Sequence, residues 1–225
     1  VMTDIDKVTT NPFYIQNIDD PSEEIQLAAV QNNGFSIKYI NNPSEQVQLA
    51  AVQLYGDAIE HIDNPSEEVQ MVAVQEDPYV IENIDNPTEK VQLYVINMDN
   101  QMIRFIKNLS EEMKMYVVEK DWSNIQYIYN PSEEVQLAAV KSSGDAIEYI
   151  ENPSEEVQLA AVNSKPASIS RIKNPSEEVQ LASLKIAFGA YHLIKSIGWG
   201  SVEPTERVLN AIRTKYPDLA KKYGI

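Results

Sequence analysis

Apolar positions in this chain recur with a period longer than any one helix or strand. Val47, Leu49, Ala50, Ala51 and Val52 form a compact run; a polar stretch follows, then Ile59 and Ile62. The same arrangement returns every 22 residues without insertion. Within the run, Val47, Ala50 and Ala51 mark an i, i+3, i+4 face that Leu49 and Val52 widen, which predicts an amphipathic helix of about ten residues. The isoleucine pairs Ile37/Ile40, Ile59/Ile62 and Ile147/Ile150 predict a second, shorter helix. Its brevity and spacing of three point to partly 3₁₀ geometry. Gly34, Gly56, Pro78, Gly144 or Pro166 marks the break between the two.

The copies begin at Pro21, Pro43, Pro65, Pro87, Leu109, Pro131, Pro153 and Pro175. Each repeat is named here after that residue, which counts as its position 1. A fixed period of this size is the signature of a solenoid. Helices this short do not persist alone, so stacking must supply their stability. The fold class expected is therefore all-α: two-helix 22-residue repeats stacked as a solenoid. Residues 1–20 read as a degenerate N-terminal half-repeat that caps the stack. Residues 21–194 read as eight units, and residues 195–225 as a basic helical C-terminal cap, all in one continuous domain. Around that end, 186–197 and 204–216 read as helices and 217–223 as a last turn.

Each helix start has a local code. Asn42, Asn64, Asn86, Asn130, Asn152 and Asn174 are expected as N-caps, with Pro at the first helical position. The Glu three residues after each Asn is expected to close a capping box, and the Glu pairs suit the positive end of the helix dipole. The paired alanines would let neighbouring helices approach closely. The column Gln26, Gln48, Gln70, Gln92, Gln136, Gln158 and Gln180 is expected to form a hydrogen-bond ladder between successive units.

The stretch Asn-Pro-Ser-Glu-Glu-Val-Gln-Leu-Ala-Ala-Val at 152–162 resembles the variant leucine-rich repeat and, more loosely, HEAT-like repeats. The resemblance covers roughly residues 1–194. It implies alternating helices wound into a right-handed superhelix, and it implies architecture far more than activity. Near-identical acidic repeats of this kind also look like those of uncharacterised bacterial and phage proteins.

Charge adds a direction to this scaffold. The formal net charge is -16, and residues 1–86 carry 16 acidic against 2 basic residues. Residues 184–225 reverse the balance, with 3 acidic and 7 basic. Such a field repels nucleic acid over most of the length and attracts basic partners. Cysteine is absent, so disulfides and thiolate metal sites are excluded. No apolar run is long enough to cross a bilayer and the start does not read as a signal peptide, so a cytoplasmic protein is expected.

Three groups of residues are candidates for partner binding. Asp57, Glu60, Asp63, Glu82 and Asp85, with Glu76 and Asp77, lie outside the capping positions, so capping does not explain their acidity. Tyr94 and Tyr116 replace the first alanine of the pair, with Met98, Met102, Phe105, Met113, Met115 and Trp122 nearby; this is a contact patch or a repacked, wider core. The column Tyr39, His61, Asn83, Phe105, Tyr127, Tyr149 and Arg171 adjoins the core isoleucines; it is a variable recognition surface or a semi-buried aromatic ridge. The Glu pairs themselves are either a row of phosphate-like charge or ordinary helix starts. No metal-ligand spacing, nucleophile elbow or phosphate-binding loop is present. The expectation is a non-enzymatic protein-binding scaffold without cofactor or metal, monomeric, bound to a protein partner with a basic surface. The alternative is a nucleic-acid mimic that occupies the groove of a DNA- or RNA-binding protein. Direct nucleic-acid binding through Lys195, Arg207, Arg213, Lys215, Lys221 and Lys222 ranks lowest.

Overall fold

In the computed structural model, which describes residues 2–187 and 205–224, every regular element among those residues is a helix. Ten-residue α-helices, such as Glu45–Leu54 and Glu133–Ser142, alternate with six-residue 3₁₀ helices, such as Gly56–His61 and Gly144–Tyr149. The second helix of the repeat is 3₁₀ throughout, not in part. At position 13, Asn33, Asp77, Asp99, Asp121 and Ser143 each accept the N–H two residues on and so start that helix. The isoleucine three residues after the buried one ends it, its N–H donating to the earlier carbonyl, as in Ile62 to Ile59 at 3.0 Å.

Within each of two compact units, α-helix packs on the next α-helix, 3₁₀ helix on the next 3₁₀ helix, and one core layer lies between the two rows. Position 5 (Val47, Val69), position 9 (Ala51, Ala73), position 10 (Val52, Val74) and position 17 (Ile59, Ile81) fill this layer. The first alanine of each pair is half-buried on the helix flank. The two compact units are Val1–Leu109 and Ser110–Ile225. The division falls at the one repeat whose leading Pro is replaced, by Leu109.

Residues 1–20 hold more than half a repeat. Both helices are present, Asp4–Thr10 and Pro12–Asn17, with Val8 and Ile15 buried as in later copies. A capping box forms here, between Thr3 and Asp6. In the second unit, the helix Glu177–Ala187 covers the start of the expected helix at 186; the rest of that segment lies outside the described residues. The helices Glu206–Lys215 and Pro217–Tyr223 follow.

The helix starts correct the sequence reading. The N-cap is Ser at position 2, not Asn at position 22. Ser44, Ser66, Ser132, Ser154 and Ser176 each accept the N–H of position 5, at 3.3–3.4 Å. Asn42, Asn64, Asn130, Asn152 and Asn174 instead hold φ near 50°, the left-handed region that Asn tolerates best among ordinary residues. A residue turned that way cannot aim its side chain at the helix N–H groups, whereas the extended Ser after Pro can. Position 5 is apolar, so no capping box closes in the repeats.

The Glu after each Ser is used between repeats. The Ser44 hydroxyl donates to Glu23; Ser66 donates to Glu45 at 2.5 Å, Ser154 to Glu133 at 2.5 Å, and Ser176 to Glu155 at 2.9 Å. One hydroxyl thus caps its own helix and ties down the preceding one. The glutamines do the reverse of what their column suggests. Gln26, Gln48, Gln136 and Gln158 donate back to the Pro carbonyl of their own repeat, at 2.8–3.0 Å. The five-residue reach closes the Asn-Pro turn onto the helix, so most of these bonds stay inside one repeat. Gln70 and Gln180 also reach onward, their Oε1 accepting the N–H of Thr88 and Thr205.

Candidate functional site

In each unit a turn from a 3₁₀ helix to the next α-helix leaves an open groove between successive repeats. In the first unit, Ile59 and Ile84 floor such a groove of about 310 Å³, with Glu60, Asp63 and Asp85 at its rim. The equivalent groove in the second unit, about 740 Å³, carries Glu148, Tyr149, Glu151, Arg171 and Lys173. The two occupy the same register and differ in charge.

The structure sorts the expected acidic residues. Glu60, Asp63, Glu82 and Asp85 are exposed at positions 18 and 21. Asp63 and Glu82 have no ion pair among the described residues; Glu60 contacts His61 Nε2 at 3.0 Å and Asp85 pairs with Lys107 at 2.8 Å. Asp57 is exposed at position 15, one 3₁₀ turn before Glu60, and does not line the groove. In the second unit, Arg171 pairs with Asp145 and Glu148, both at 2.8 Å, so charge on this face is largely compensated.

The first Glu of each pair is a structural residue. The Thr88 hydroxyl, with the Lys90 ammonium, holds Glu67 below the ordinary carboxylate range. Lys114 and then Ser132 do the same for Glu111; Arg207 and then Thr205 do so for Glu177. The phosphate-like row therefore loses the carboxylates that anchor the repeat-to-repeat ladder.

The Met and aromatic group divides between core and surface. Met102 and Met113 are core residues, and Phe105, Trp122 and Tyr127 are half-buried. Tyr94 and Tyr116 stand on the flank of the α-helices, Tyr94 half-buried and Tyr116 exposed. Tyr94 and Phe105 belong to the first unit, Tyr116 and Trp122 to the second.

Position 19 is an interlock. Phe13 meets Tyr39 edge-on at 6.1 Å, Phe35 meets His61 at 6.3 Å, and Tyr79 meets Phe105 at 5.7 Å. Each pair joins position 15 of one repeat to position 19 of the next. In the second unit the same register carries the Asp145–Arg171 ion pair. Column 19 varies because the chemistry of the joint varies. Tyr149 keeps an exposed face toward the second groove.

The C-terminal cap begins with a further copy of the repeat start, which the broken period conceals. Pro204-Thr-Glu-Arg-Val repeats Pro87-Thr-Glu-Lys-Val, seven residues later than the period requires. Thr205 caps Val208, its hydroxyl donates to Glu177 at 2.9 Å, and its N–H donates to Gln180. Val208 and Ile212 are buried like positions 5 and 9, with Leu181 packed on them. Arg207 pairs with Glu177 and Glu178, Arg213 pairs with Glu206, and Lys215 lies over the Tyr216 ring. Lys195 lies outside the described residues, and the structure gives no account of the Lys222 side chain. Lys221 is exposed.

Sequence reasoning passed over Tyr55, Tyr79 and Tyr129. Tyr129 is 93% exposed at position 21. Tyr55 stands at position 13, where capping residues dominate; that break in the column was the available signal. No group of three or more His, Cys, Asp or Glu side chains among the described residues is placed to hold a metal ion. No helix among them is long and apolar enough to cross a membrane. No family model, curated protein or solved structure matches the chain, so its function is argued from its own residues.

Proposed function

We propose that this chain is a non-enzymatic protein-binding scaffold of the cytoplasm, and that its first unit holds a partner with a basic surface along the groove at positions 18 and 21. The observation that supports this reading is the exposed set Glu60, Asp63, Glu82 and Asp85, beside a second unit where the same face is compensated by Arg171 and Lys173. Charge left unneutralised on one stretch of a regular scaffold acts over about 8 Å at physiological salt and steers an oppositely charged partner. The resemblance to variant leucine-rich and HEAT-like repeats supports a scaffold role as well.

The test is affinity capture by wild type and by a Glu60→Lys/Asp63→Lys/Glu82→Lys variant. A protein retained by wild type, lost with the variant and released by salt supports the reading. Identical captured sets overturn it. The nucleic-acid-mimic reading draws on the same regularly spaced carboxylates; it requires that duplex DNA or RNA displace the captured protein.

A further inference from the structure

We propose that a second edge of the first unit, the corner where the α-helix turns into the 3₁₀ helix in the Pro43, Pro65 and Pro87 repeats, docks an extended basic segment of a partner protein. That segment carries two apolar anchors separated by five or six residues, with Lys or Arg between them.

The corner exposes apolar surface that the fold covers only in part, Tyr79 by Phe105 and Tyr55 by Phe35. Leu54 is 41% exposed, Tyr55 44%, Tyr79 57% and Met98 57%. Positions equivalent to Leu54 and Met98 carry Asn32, Glu76, Lys120, Ser142 and Ser164 in the Pro21, Pro65, Leu109, Pro131 and Pro153 repeats, and Ile186 in the Pro175 repeat. Tyr55 also gives up the side-chain cap that Asn33, Asp77, Asp99, Asp121 and Ser143 provide at the same position. Lys165 gives it up as well, but gains an ion pair with Asp145 at 2.6 Å. Tyr55 stacks one face on Phe35 at 5.2 Å and leaves much of its ring to solvent. Where a local rule is broken without full structural return, the residue serves another purpose.

The register gives this surface an order. Phe35 on Tyr55 and Asp145 with Lys165 show that position 15 of one repeat faces position 13 of the next. The same register sets Asp57 beside Asp77, and Tyr79 beside Asp99. The edge therefore reads apolar at Leu54 and Tyr55, acidic at Asp57 and Glu76, and apolar again at Tyr79 and Met98. Asp57 and Glu76 have no ion pair among the described residues. Neighbouring helices lie about 8–10 Å apart, so stripes two repeats apart are separated by roughly 16–20 Å. An extended chain covers that distance in about five or six residues, at ~3.3 Å each. Cations midway would meet Asp57 and Glu76. This edge is distinct from the groove and docks such a segment whether or not the groove binds anything.

The experiment is a fluorescence-anisotropy titration of the full chain against two labelled 11-residue peptides of identical composition. One has Leu at its third and ninth residues with three Lys between; the other has the two Leu adjacent. The expected result is at least tenfold tighter binding of the spaced peptide. Tyr79→Ser/Met98→Ser and, separately, Glu76→Lys should each weaken it about tenfold. The groove variant Glu60→Lys/Asp63→Lys/Glu82→Lys should keep the preference for the spaced peptide. Equal binding of the two peptides, indifference to Tyr79→Ser/Met98→Ser, or no binding at physiological salt overturns the proposal. These variants alter exposed side chains, and circular dichroism of each verifies that the helices persist.

Discussion

Gly144→Ala tests what sets the distance between repeats. Gly144 starts the 3₁₀ helix Gly144–Tyr149, and its φ is not in the left-handed region, so its backbone makes no demand for glycine. Space makes the demand. A Cβ added there would collide with the Ala161 carbonyl oxygen of the next repeat and lie 2.8 Å from Lys165 Cβ and 3.1 Å from Lys165 N. That carbonyl already accepts the Lys165 N–H at 2.8 Å, closing the end of the helix Glu155–Ser164. Two effects oppose each other. Alanine restricts the unfolded chain, which stabilises by about 0.4–1 kcal/mol. Forcing a methyl into filled space costs about 1–3 kcal/mol. The collision is with backbone that cannot swing aside, so the steric effect wins. Pro78 and Pro166 stand at this position in other repeats, so a neighbouring backbone can be set further back, which holds the net loss to roughly 1–2 kcal/mol. With a slope of about 2 kcal/mol per molar urea, the midpoint followed by circular dichroism should fall by roughly 0.5–1 M. Gly34→Ala should repeat the loss in the first unit, since its Cβ would lie 2.5 Å from the Ala51 oxygen. An unchanged or raised midpoint for both variants would refute the argument, because the entropic effect would then dominate and glycine would not set the stacking distance.

Asn152→Val should destabilise by about 1–2 kcal/mol, since φ of 51° crowds a Cβ branch, while Asn152→Gly should lie within a few tenths of wild type in the same urea assay. Thr205→Ala should cost about 1 kcal/mol and raise hydrogen exchange in the helix Glu206–Lys215, because it removes an N-cap and the hydroxyl that holds Glu177. Glu67, Glu111 and Glu177 are held below their ordinary value of 4.5, so the stability they contribute is complete above that value and is lost as pH falls through their lower folded values. Urea midpoints should therefore hold steady from neutrality down to about pH 5 and then fall, and Glu177→Gln should flatten that fall; an unchanged profile would deny the ladder its part in acid stability.

The 22-residue period, the ten-residue helix with its apolar run and the isoleucine pair were determined by sequence alone; which of the run is core was not, since Val47, Ala51 and Val52 are buried but Leu49 and Ala50 only half-buried. The period, the helix and the pair follow from local periodicity and from the need to bury one face of every short helix. Tertiary structure decided matters that depend on which atoms meet across repeats. Ser rather than Asn caps the helix because the Asn-Pro turn puts Asn at positive φ, a choice that composition does not distinguish. The Glu column became a ladder and the Gln column did so only at Gln70 and Gln180 among the described residues, because the Glu side chain faces the neighbouring repeat whereas the Gln amide folds back on its own turn. Position 19 proved to be half of a joint whose other half lies 26 residues earlier, as in Phe13 with Tyr39. Asp57 and Glu60 stand one 3₁₀ turn apart, and their counterparts Asp145 and Glu148 are drawn together on Arg171, a partner that the next repeat supplies only in the second unit. The terminal Pro-Thr-Glu-Arg-Val was legible in the letters but hidden by a seven-residue offset, and only its contacts with Glu177 and Gln180 mark it as a repeat start.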